Sequence, residues 1–249
     1  MRGLRGTLND FVRQFALALQ RATRLQAASA PAGPEDDPMR TSARHLPGAG
    51  AVVGLLSAFV FAVVALLLQA NPAGPAVAAL ASLLAVLVLT GAAQESEVFR
   101  LAERMAQGAA EGGGTGLGTI ALVLLLAGRI VTVAAIGEMS EPGVLAALLA
   151  APVISRFAPL LASHWAAPEG GEGAATVRVA ALWCLVPLAL MLLANGVAFL
   201  LVALFGAAVA WIALLRFFRQ RPASFDEERA AGLQQACELG FYLGAALGA

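Results

Sequence analysis

Long apolar stretches separated by short polar segments dominate the chain, and their lengths indicate membrane spans. A hydrocarbon core about 30 Å thick is crossed by about 20 helical residues. The first stretch of this length, residues 49–68, contains no charged residue. Further apolar stretches follow at 76–90, 119–136, 143–162, 177–193, 197–215 and, more weakly, 233–247. The pattern therefore predicts an all-α, polytopic membrane helix bundle of about seven spans.

The segments outside the spans follow other patterns. Near the N-terminus, apolar side chains recur every three or four residues, at Leu8, Phe11, Val12, Phe15, Leu19 and Ala22. This spacing predicts an amphipathic helix over 8–25, which either lies in the bilayer interface or packs against the bundle. The segment 28–48 is rich in proline and alanine and is predicted to be a loop. The glycine-rich segment 110–118 follows no strand, so we interpret it as a hinge rather than a phosphate-binding loop.

Composition agrees with this fold class. The chain of 249 residues is 59% hydrophobic and 13% charged, whereas soluble domains are about 25% charged. Its formal net charge is zero, which argues against a nucleic acid partner. All 16 basic residues are arginine, a bias that we attribute to the codon usage of a GC-rich bacterium. Cys184 and Cys237 lie in apolar stretches and are expected to be buried free thiols.

The distribution of arginine predicts the orientation of the bundle, because arginine is enriched in cytoplasmic segments of membrane proteins. The turns at 69–75, 137–142 and 194–196 contain no arginine. Seven spans with a cytoplasmic N-terminus place these turns outside and most arginines inside. We therefore expect a multi-pass protein of the bacterial inner (cytoplasmic) membrane. Residues 1–48 would form a cytoplasmic amphipathic helix and loop, and residues 49–249 a single transmembrane helical domain.

A few polar residues in this apolar chain are candidates for chemistry. They are Glu95, Glu97 and Glu103 directly after the second span, Arg129 and Arg156 inside spans, and Glu238 in the last apolar stretch. An arginine inside a membrane costs about 2.5–3.5 kcal/mol, so each should face a partner, such as Glu238, or a wet cavity. A structural ion pair, a functional site and a polar pathway in a small transporter all remain open.

Several stretches of the sequence together resemble one protein family. In chain order they are "LNDFVRQFALALQRATRL", "LPGAGAVVGLLSAFVFAVVALLL", "LVLTGA", "LGTIALVLLLAGRIVTVAAI", "APVISRFAPLL" and "AAGLQQACELGFYLG". Each alone matches many membrane proteins, but their order and spacing resemble the cobalamin synthase (adenosylcobinamide-GDP ribazoletransferase) family over nearly the whole chain. The resemblance implies a membrane-bound transferase of cobalamin biosynthesis.

The motif that defines this family, T-G-x-x-H-x-D-G-x-x-D-x-x-D, is altered in the chain. In relatives, its aspartates at i, i+4 and i+7 share one helix face and can hold magnesium against a diphosphate. Thr90 and Gly91 match the motif. The replacements are Gln94 for the histidine, Glu97 for the next glycine, Ser96 and Arg100 for the first two aspartates, and Glu103 for the third.

Other positions resemble the family more closely. Ser155 and Arg156 match a Ser-Arg pair in the fourth span, Arg129 stands at a commonly basic position, and Glu228 stands at an aspartate of a late block. The resemblance implies that Glu103, Arg156 and Glu228 are catalytic, which requires them to share one pocket.

The resemblance also implies the ligands. Magnesium would be held by Glu95, Glu97 and Glu103, and the substrates would contact Gln94, Ser96, Arg100, Arg129 and Ser155. The implied reaction joins adenosylcobinamide-GDP to α-ribazole, or its 5′-phosphate, and releases GMP. The implied partners are the corrinoid nucleotide, α-ribazole, membrane lipid and other proteins of the cobalamin pathway.

The altered motif supports a second hypothesis. In a regular helix, Arg100 forms surface pairs with Glu97 or Glu103 and does not belong in a metal site. A catalytically inactive paralogue, or pseudoenzyme, would retain the membrane scaffold as a binding or assembly subunit.

Overall fold

The computed structural model describes residues 2–25, 38–107, 116–166, 173–220 and 225–249. Within these ranges every regular element is a helix. The helices are α1 (Arg2–Ala22), α2 (Pro38–Ala43), α3 (Leu46–Leu67), α4 (Gly74–Thr90), α5 (Ala93–Gln107), α6 (Leu117–Met139), α7 (Glu141–Ala166), α8 (Ala174–Arg219) and α9 (Glu227–Gly248). The predicted all-α helix bundle is confirmed. Residues 108–115, most of the predicted hinge, lie outside the described ranges.

Four helices, α3, α6, α7 and α8, are long and apolar enough to cross a membrane, and α4 with α5 would make a fifth span if that bent pair is counted as one. The 46-residue α8 would be about 69 Å long if it were straight, more than twice a bilayer core of about 30 Å. It breaks at Gly196, where φ is 82° and ψ is −175°. The turn predicted at 194–196 coincides with this break, so each arm of α8 has the length of one span.

A sharp corner between α4 and α5 sets the direction of the acidic segment. The two helices meet at an angle of 89°, and Gly91 and Ala92 both have positive φ, at 69° and 53°. A Cβ atom at Gly91 would collide with the Arg24 side chain. Glycine is therefore required at this corner for both its backbone conformation and its lack of a side chain. As a result, α5 runs almost perpendicular to the apolar α4.

Glycines also let the long helices approach each other closely. A Cβ atom at Gly54 of α3 would lie 2.8 Å from the Leu148 carbonyl oxygen of α7, and one at Gly50 would collide with the Pro152 carbonyl. Small residues at such positions are common where membrane helices pack tightly. The close contact of α3 with α7 places Arg156, one helical turn beyond Pro152, beside the start of α3.

The N-terminal helix packs against one end of the bundle. Ala18 and Ala22 of α1 are buried together with Ala49 of α3, and the backbone N–H of Arg24 donates to the Leu89 carbonyl at 2.8 Å. Of the two alternatives for this helix, packing on the bundle is present in the structure. We call this end, where α1, α5 and the start of α9 meet, the polar end. At the opposite end, Ser140 donates to Asn195 Oδ1 at 2.6 Å, which joins the α6–α7 turn to the break in α8.

The prediction of a loop over 28–48 is wrong where that segment is described. Helix α2 occupies Pro38–Ala43, and α3 already begins at Leu46. Proline is favoured in the first turn of a helix, where its missing N–H is not needed. Pro38 and Pro47 therefore begin helices here and do not interrupt them. Residues 28–37 lie outside the described ranges.

Candidate active site

A cleft of ≈ 400 Å³ opens at the polar end of the bundle. Helices α1, α5, α7 and α9 and the first residue of α3 border it. Its polar lining consists of Arg21, Gln94, Glu97, Arg156, Glu227 and Gln234. Residues distant in the sequence thus meet at one place, and three of the predicted site residues, Gln94, Glu97 and Arg156, are among them.

Arg156 is the buried cation of this cleft. Only 4% of the residue is exposed, and its Nη1 atom donates to the Pro152 carbonyl at 3.0 Å. Its buried Nε atom has no hydrogen-bond partner, and within the described part of the chain Arg156 forms no ion pair. A buried guanidinium with an unused donor is costly unless an anion binds to it. Arg156 is therefore the strongest indication that the cleft takes an anionic ligand.

Gln94 is held by two glutamines of α9. Its Oε1 atom accepts hydrogen bonds from Gln234 Nε2 at 2.7 Å and from Gln235 Nε2 at 3.0 Å. Because both donors meet the carbonyl oxygen, the amide N–H groups of Gln94 remain available as donors. The chain therefore presents a hydrogen-bond donor to the cleft at the position where the family motif has a histidine.

A buried network of charged and polar residues lies beneath the cleft. Arg129 Nη2 donates to Glu238 Oε1 at 2.5 Å, and Arg129 Nη1 lies 3.7 Å from Glu95 Oε1. Gln235 accepts a hydrogen bond from Arg129 at 3.2 Å and donates one to Glu95 at 3.3 Å. The Ser155 hydroxyl donates to Glu238 Oε2 at 3.3 Å. The structural ion pair of Arg129 with Glu238, one of the alternatives considered from the sequence, is present. Arg129 and Ser155 lie in this network and not among the residues that line the cleft.

The three carboxylates predicted to hold magnesium do not come together. Glu95 points into the bundle toward Arg129, Glu97 pairs with Arg100, and Glu103 accepts the Gly118 N–H at 2.8 Å. No group of three or more His, Cys, Asp or Glu residues within the described ranges could hold a metal ion. Positions 95 and 97 lie about 200° apart around a helix, so the structure does not bring the predicted ligand set together. The surface pair of Arg100 with Glu97, the plainer alternative, is present instead.

The predicted catalytic set is also dispersed. Of its three members, only Arg156 lines the cleft. Glu103 instead accepts a hydrogen bond at the start of α6, and Glu228 lies 2.8 Å from Arg104 Nη2. The structure therefore does not bring Glu103, Arg156 and Glu228 together in this cleft. Ser96, predicted to contact substrate, is exposed and bonds to the Ala93 carbonyl of its own helix.

Arg104 connects α5 to the start of α9. Besides Glu228 it binds Asp226 at 2.9 Å, and Asp226 caps α9 by accepting the Arg229 N–H at 3.0 Å. Desolvation alone would raise the pKa of the Asp226 carboxyl, but the hydrogen bonds and charges of Arg104 and Arg229 outweigh it and lower the pKa below its usual value. These carboxylates thus hold two helices together at the rim of the cleft.

Three residues of the cleft were missed by the sequence reasoning: Arg21, Glu227 and Gln234. Glu227 and Gln234 are seven residues apart, with Ala230 and Ala231 between them, and all four line the cleft. This is the i, i+3, i+4, i+7 spacing of one helix face. A search for polar residues at the two ends of such a small-residue face would have found them.

Comparison with known proteins agrees with this architecture. The family profile described as cobalamin-5-phosphate synthase matches residues 14–95. An adenosylcobinamide-GDP ribazoletransferase of Polaromonas naphthalenivorans is 32% identical, with 96% of this chain and 99% of that protein covered. The chain belongs to the cobalamin synthase family.

Further cobalamin synthases match over the same length. Proteins named adenosylcobinamide-GDP ribazoletransferase from Polaromonas sp. and Albidiferax ferrireducens are 31% and 30% identical, over 96% and 97% of this chain. No solved structure matches it. Family membership confirms the resemblance drawn from the sequence and supports a multi-pass membrane protein of cobalamin synthase type.

Proposed function

We propose that the chain is a membrane-bound transferase that joins adenosylcobinamide-GDP to α-ribazole, or to its 5′-phosphate. The products are adenosylcobalamin, or its 5′-phosphate, and GMP. The names of the relatives support this reaction class. The structural observation that carries the proposal is Arg156, which lines the cleft and whose buried Nε atom has no hydrogen-bond partner.

The proposed reaction is a phosphoryl transfer. A hydroxyl group of the ribazole sugar attacks the phosphorus on the cobinamide side of the diphosphate and loses its proton. The bond from that phosphorus to the oxygen of the departing GMP breaks at the same centre. Negative charge builds up on the phosphoryl and leaving-group oxygens, where fixed cationic donors are most effective. We assign this stabilising role to Arg156, with Gln94 as an additional neutral donor.

The proton of the attacking hydroxyl needs an acceptor at the cleft. Glu97 and Glu227 are the carboxylates that line it. Glu97 pairs with Arg100, whereas Glu227 is exposed and forms no ion pair with any described residue. We therefore assign Glu227 as the proton acceptor and Glu97 to binding of the ligand.

Magnesium remains a proposed cofactor, although Glu95, Glu97 and Glu103 do not form its site. Magnesium is commonly held by one or two carboxylates together with substrate phosphates. We expect Mn²⁺, used as a paramagnetic substitute and detected by its EPR signal, to bind the full-length protein only when GDP is present. Glu97→Gln should weaken this binding, and Glu103→Gln should leave it unchanged. Tight Mn²⁺ binding without GDP, or an equal loss in both variants, would contradict the assignment.

The direct test measures GMP release from adenosylcobinamide-GDP and α-ribazole by the full chain in nanodiscs. We expect Arg156→Gln to lower the rate by about 10²–10³-fold, the usual effect of removing one preorganised donor from a transition state. Arg156→Lys should retain part of the rate, and Arg219→Gln, at the end of α8 and outside the cleft, should retain all of it. Glu227→Gln provides an exposed second variant that should also lose activity. Wild-type rates in Arg156→Gln and Glu227→Gln together would refute the proposed reaction.

One observation supports the inactive paralogue as the second candidate. Three carboxylates near the cleft already form ion pairs with arginines. Glu97 pairs with Arg100, and Asp226 and Glu228 pair with Arg104. Such a protein would bind adenosylcobinamide-GDP through Arg156 without releasing GMP, as a binding or assembly subunit for other cobalamin-pathway proteins. Binding that depends on Arg156, measured alongside undetectable GMP release, would establish this function in place of the transferase.

We also propose that the protein lies in the bacterial inner membrane with its N-terminus and cleft in the cytoplasm. This location would give the cleft direct access to nucleotide substrates. The distribution of arginine supports it.

A further inference from the structure

A second and larger cavity lies beside the cleft and shares none of its lining residues. Its volume is ≈ 960 Å³, and it is bordered by α1, α3, α7 and α8 and by the residues just before α3. We call it the groove. Its polar lining residues, Asp10, Gln14, Arg44 and His45, come from α1 and the two residues just before α3, and apolar side chains dominate the rest. A cavity with one polar end and a long apolar body has the shape of an amphiphile site.

The apolar body of the groove has the depth of one bilayer leaflet. Its lining extends from His45 to Leu55 along α3 and from Val179 to Leu190 along α8. At 1.5 Å per helical residue, both lengths are about 15 Å, which is half of a hydrocarbon core of about 30 Å. Leu55 is 58% exposed and Val186 66% exposed, so the groove opens sideways, toward the position of the bilayer. These dimensions fit one acyl chain that enters from the membrane.

The polar end of the groove offers one cation and one anion. Arg44 is held in place because its Nε and Nη2 atoms both donate to Gln14 Oε1, at 3.1 and 2.5 Å. Asp10 lies exposed on the rim. Among the described residues, neither Arg44 nor Asp10 forms an ion pair. Burial and the charge of Arg44 lower the pKa of His45, so this imidazole, which accepts from Trp183 Nε1 at 3.3 Å, adds no second positive charge at neutral pH.

We infer that the groove binds one phospholipid of the phosphoethanolamine class, with its phosphate at Arg44, its primary ammonium at Asp10 and one acyl chain between α3 and α8. A guanidinium forms charge-assisted hydrogen bonds with phosphate, and a carboxylate does so with an ammonium that retains N–H donors. The rings of Phe11 and Trp183 lie 6.3 Å apart and both contact His45 at the polar end of the groove, and aromatic side chains are enriched at the head-group level of membrane proteins. The inference does not depend on the proposed reaction, because no residue of the cleft takes part.

Trp183 lines the groove and can report on its occupant. The chain has three tryptophans, and the variant Trp165→Phe with Trp211→Phe leaves only Trp183. This full-length protein is placed in nanodiscs of phosphocholine lipid with a small fraction of lipid that carries bromine on one acyl chain, which quenches nearby tryptophan fluorescence. We expect brominated phosphoethanolamine lipid to quench Trp183 several-fold more than brominated phosphocholine lipid at the same fraction.

Two variants and two controls separate the head-group contacts from general contact with lipid. Arg44→Gln should weaken quenching by brominated phosphoethanolamine lipid about tenfold, as for loss of one charge-assisted hydrogen bond. The exposed Asp10→Asn should make the two lipids quench equally, whereas Arg219→Gln should change nothing. A reporter that retains only Trp211 should show no head-group preference. Equal quenching of Trp183 by both lipids, no effect of Arg44→Gln and Asp10→Asn, or release of the quenching by GDP or inorganic phosphate would overturn the inference.

Discussion

Arg129 shows how a charge is tolerated inside the bundle. It lies between Glu238 and Glu95 and is 6% exposed. Removing one partner of a buried ion pair leaves the other charge uncompensated, at a cost of about 3–5 kcal/mol. We therefore expect Arg129→Met to lower the free energy of unfolding by about this amount, measured by SDS titration of the protein in mixed micelles. Arg219→Gln, which removes an exposed arginine, should have little effect.

The same network allows a test of the pairing itself. Glu238→Gln leaves the hydrogen bond to Ser155 possible and removes the negative charge. The double variant with Arg129→Met should be less destabilised than the sum of the two single variants, because the single variants each leave a buried charge alone. Additive losses would show that the two residues act independently.

At the residue level, the sequence predicted ion pairs better than it predicted which side chains line the cleft. The pairs Arg129–Glu238 and Glu97–Arg100 were among the alternatives because an intramembrane charge needs a partner and residues three apart on a helix are neighbours. The predicted carboxylates do not come together in the structure, because motif spacing describes one helix alone. It contains no information on how the corner at Gly91 turns α5, and hence on whether Glu95 or Glu97 faces the cleft.

At the level of the helices, the close contact between α8 and α9 depends on glycines, which have no side chain. A Cβ atom at Gly206 would collide with the Gly240 carbonyl oxygen, and one at Gly240 would lie 3.0 Å from the Ala210 Cβ. We expect Gly206→Ala to separate the helices and to lower the free energy of unfolding by about 3 kcal/mol, as overpacking does. Gly173→Ala is the matched control, because nothing lies within 4 Å of its added methyl group. Equal stability of the two variants in the same SDS titration would refute this close packing.

The positions of the helices were more predictable than their directions. Each predicted apolar stretch coincides with helix to within one residue, because a long apolar run in a membrane leaves few other options. The 89° corner before α5 and the short α2 were not predicted, since each depends on one or two residues and on the neighbours they contact. The cleft is built from such local features, which explains why the fold was predicted more completely than the site.

The two ends of the molecule differ in their content of arginine, and this difference is the basis of the proposed orientation. The cleft and α1 lie at the polar end, together with Arg104 and Arg229 near the start of α9. The turn before α7 and the break in α8 meet at the other end through Ser140 and Asn195. The turn between α3 and α4, which contains the exposed Asn71, also lacks arginine. From the positive-inside rule we expect Asn71 on the outer side of the membrane and the polar end on the cytoplasmic side.

Cysteine labelling can determine which end faces the cytoplasm. Both native thiols, Cys184 and Cys237, are buried and can be replaced with alanine to remove background. In intact spheroplasts, a maleimide that does not cross membranes should label Asn71→Cys and should label Ser96→Cys, exposed at the polar end, only after the membrane is permeabilised. The reverse pattern would place the cleft outside, where nucleotide substrates made in the cytoplasm could not reach it. The orientation and the proposed reaction would then fail together, while the packing of the bundle and the lipid groove would be unaffected.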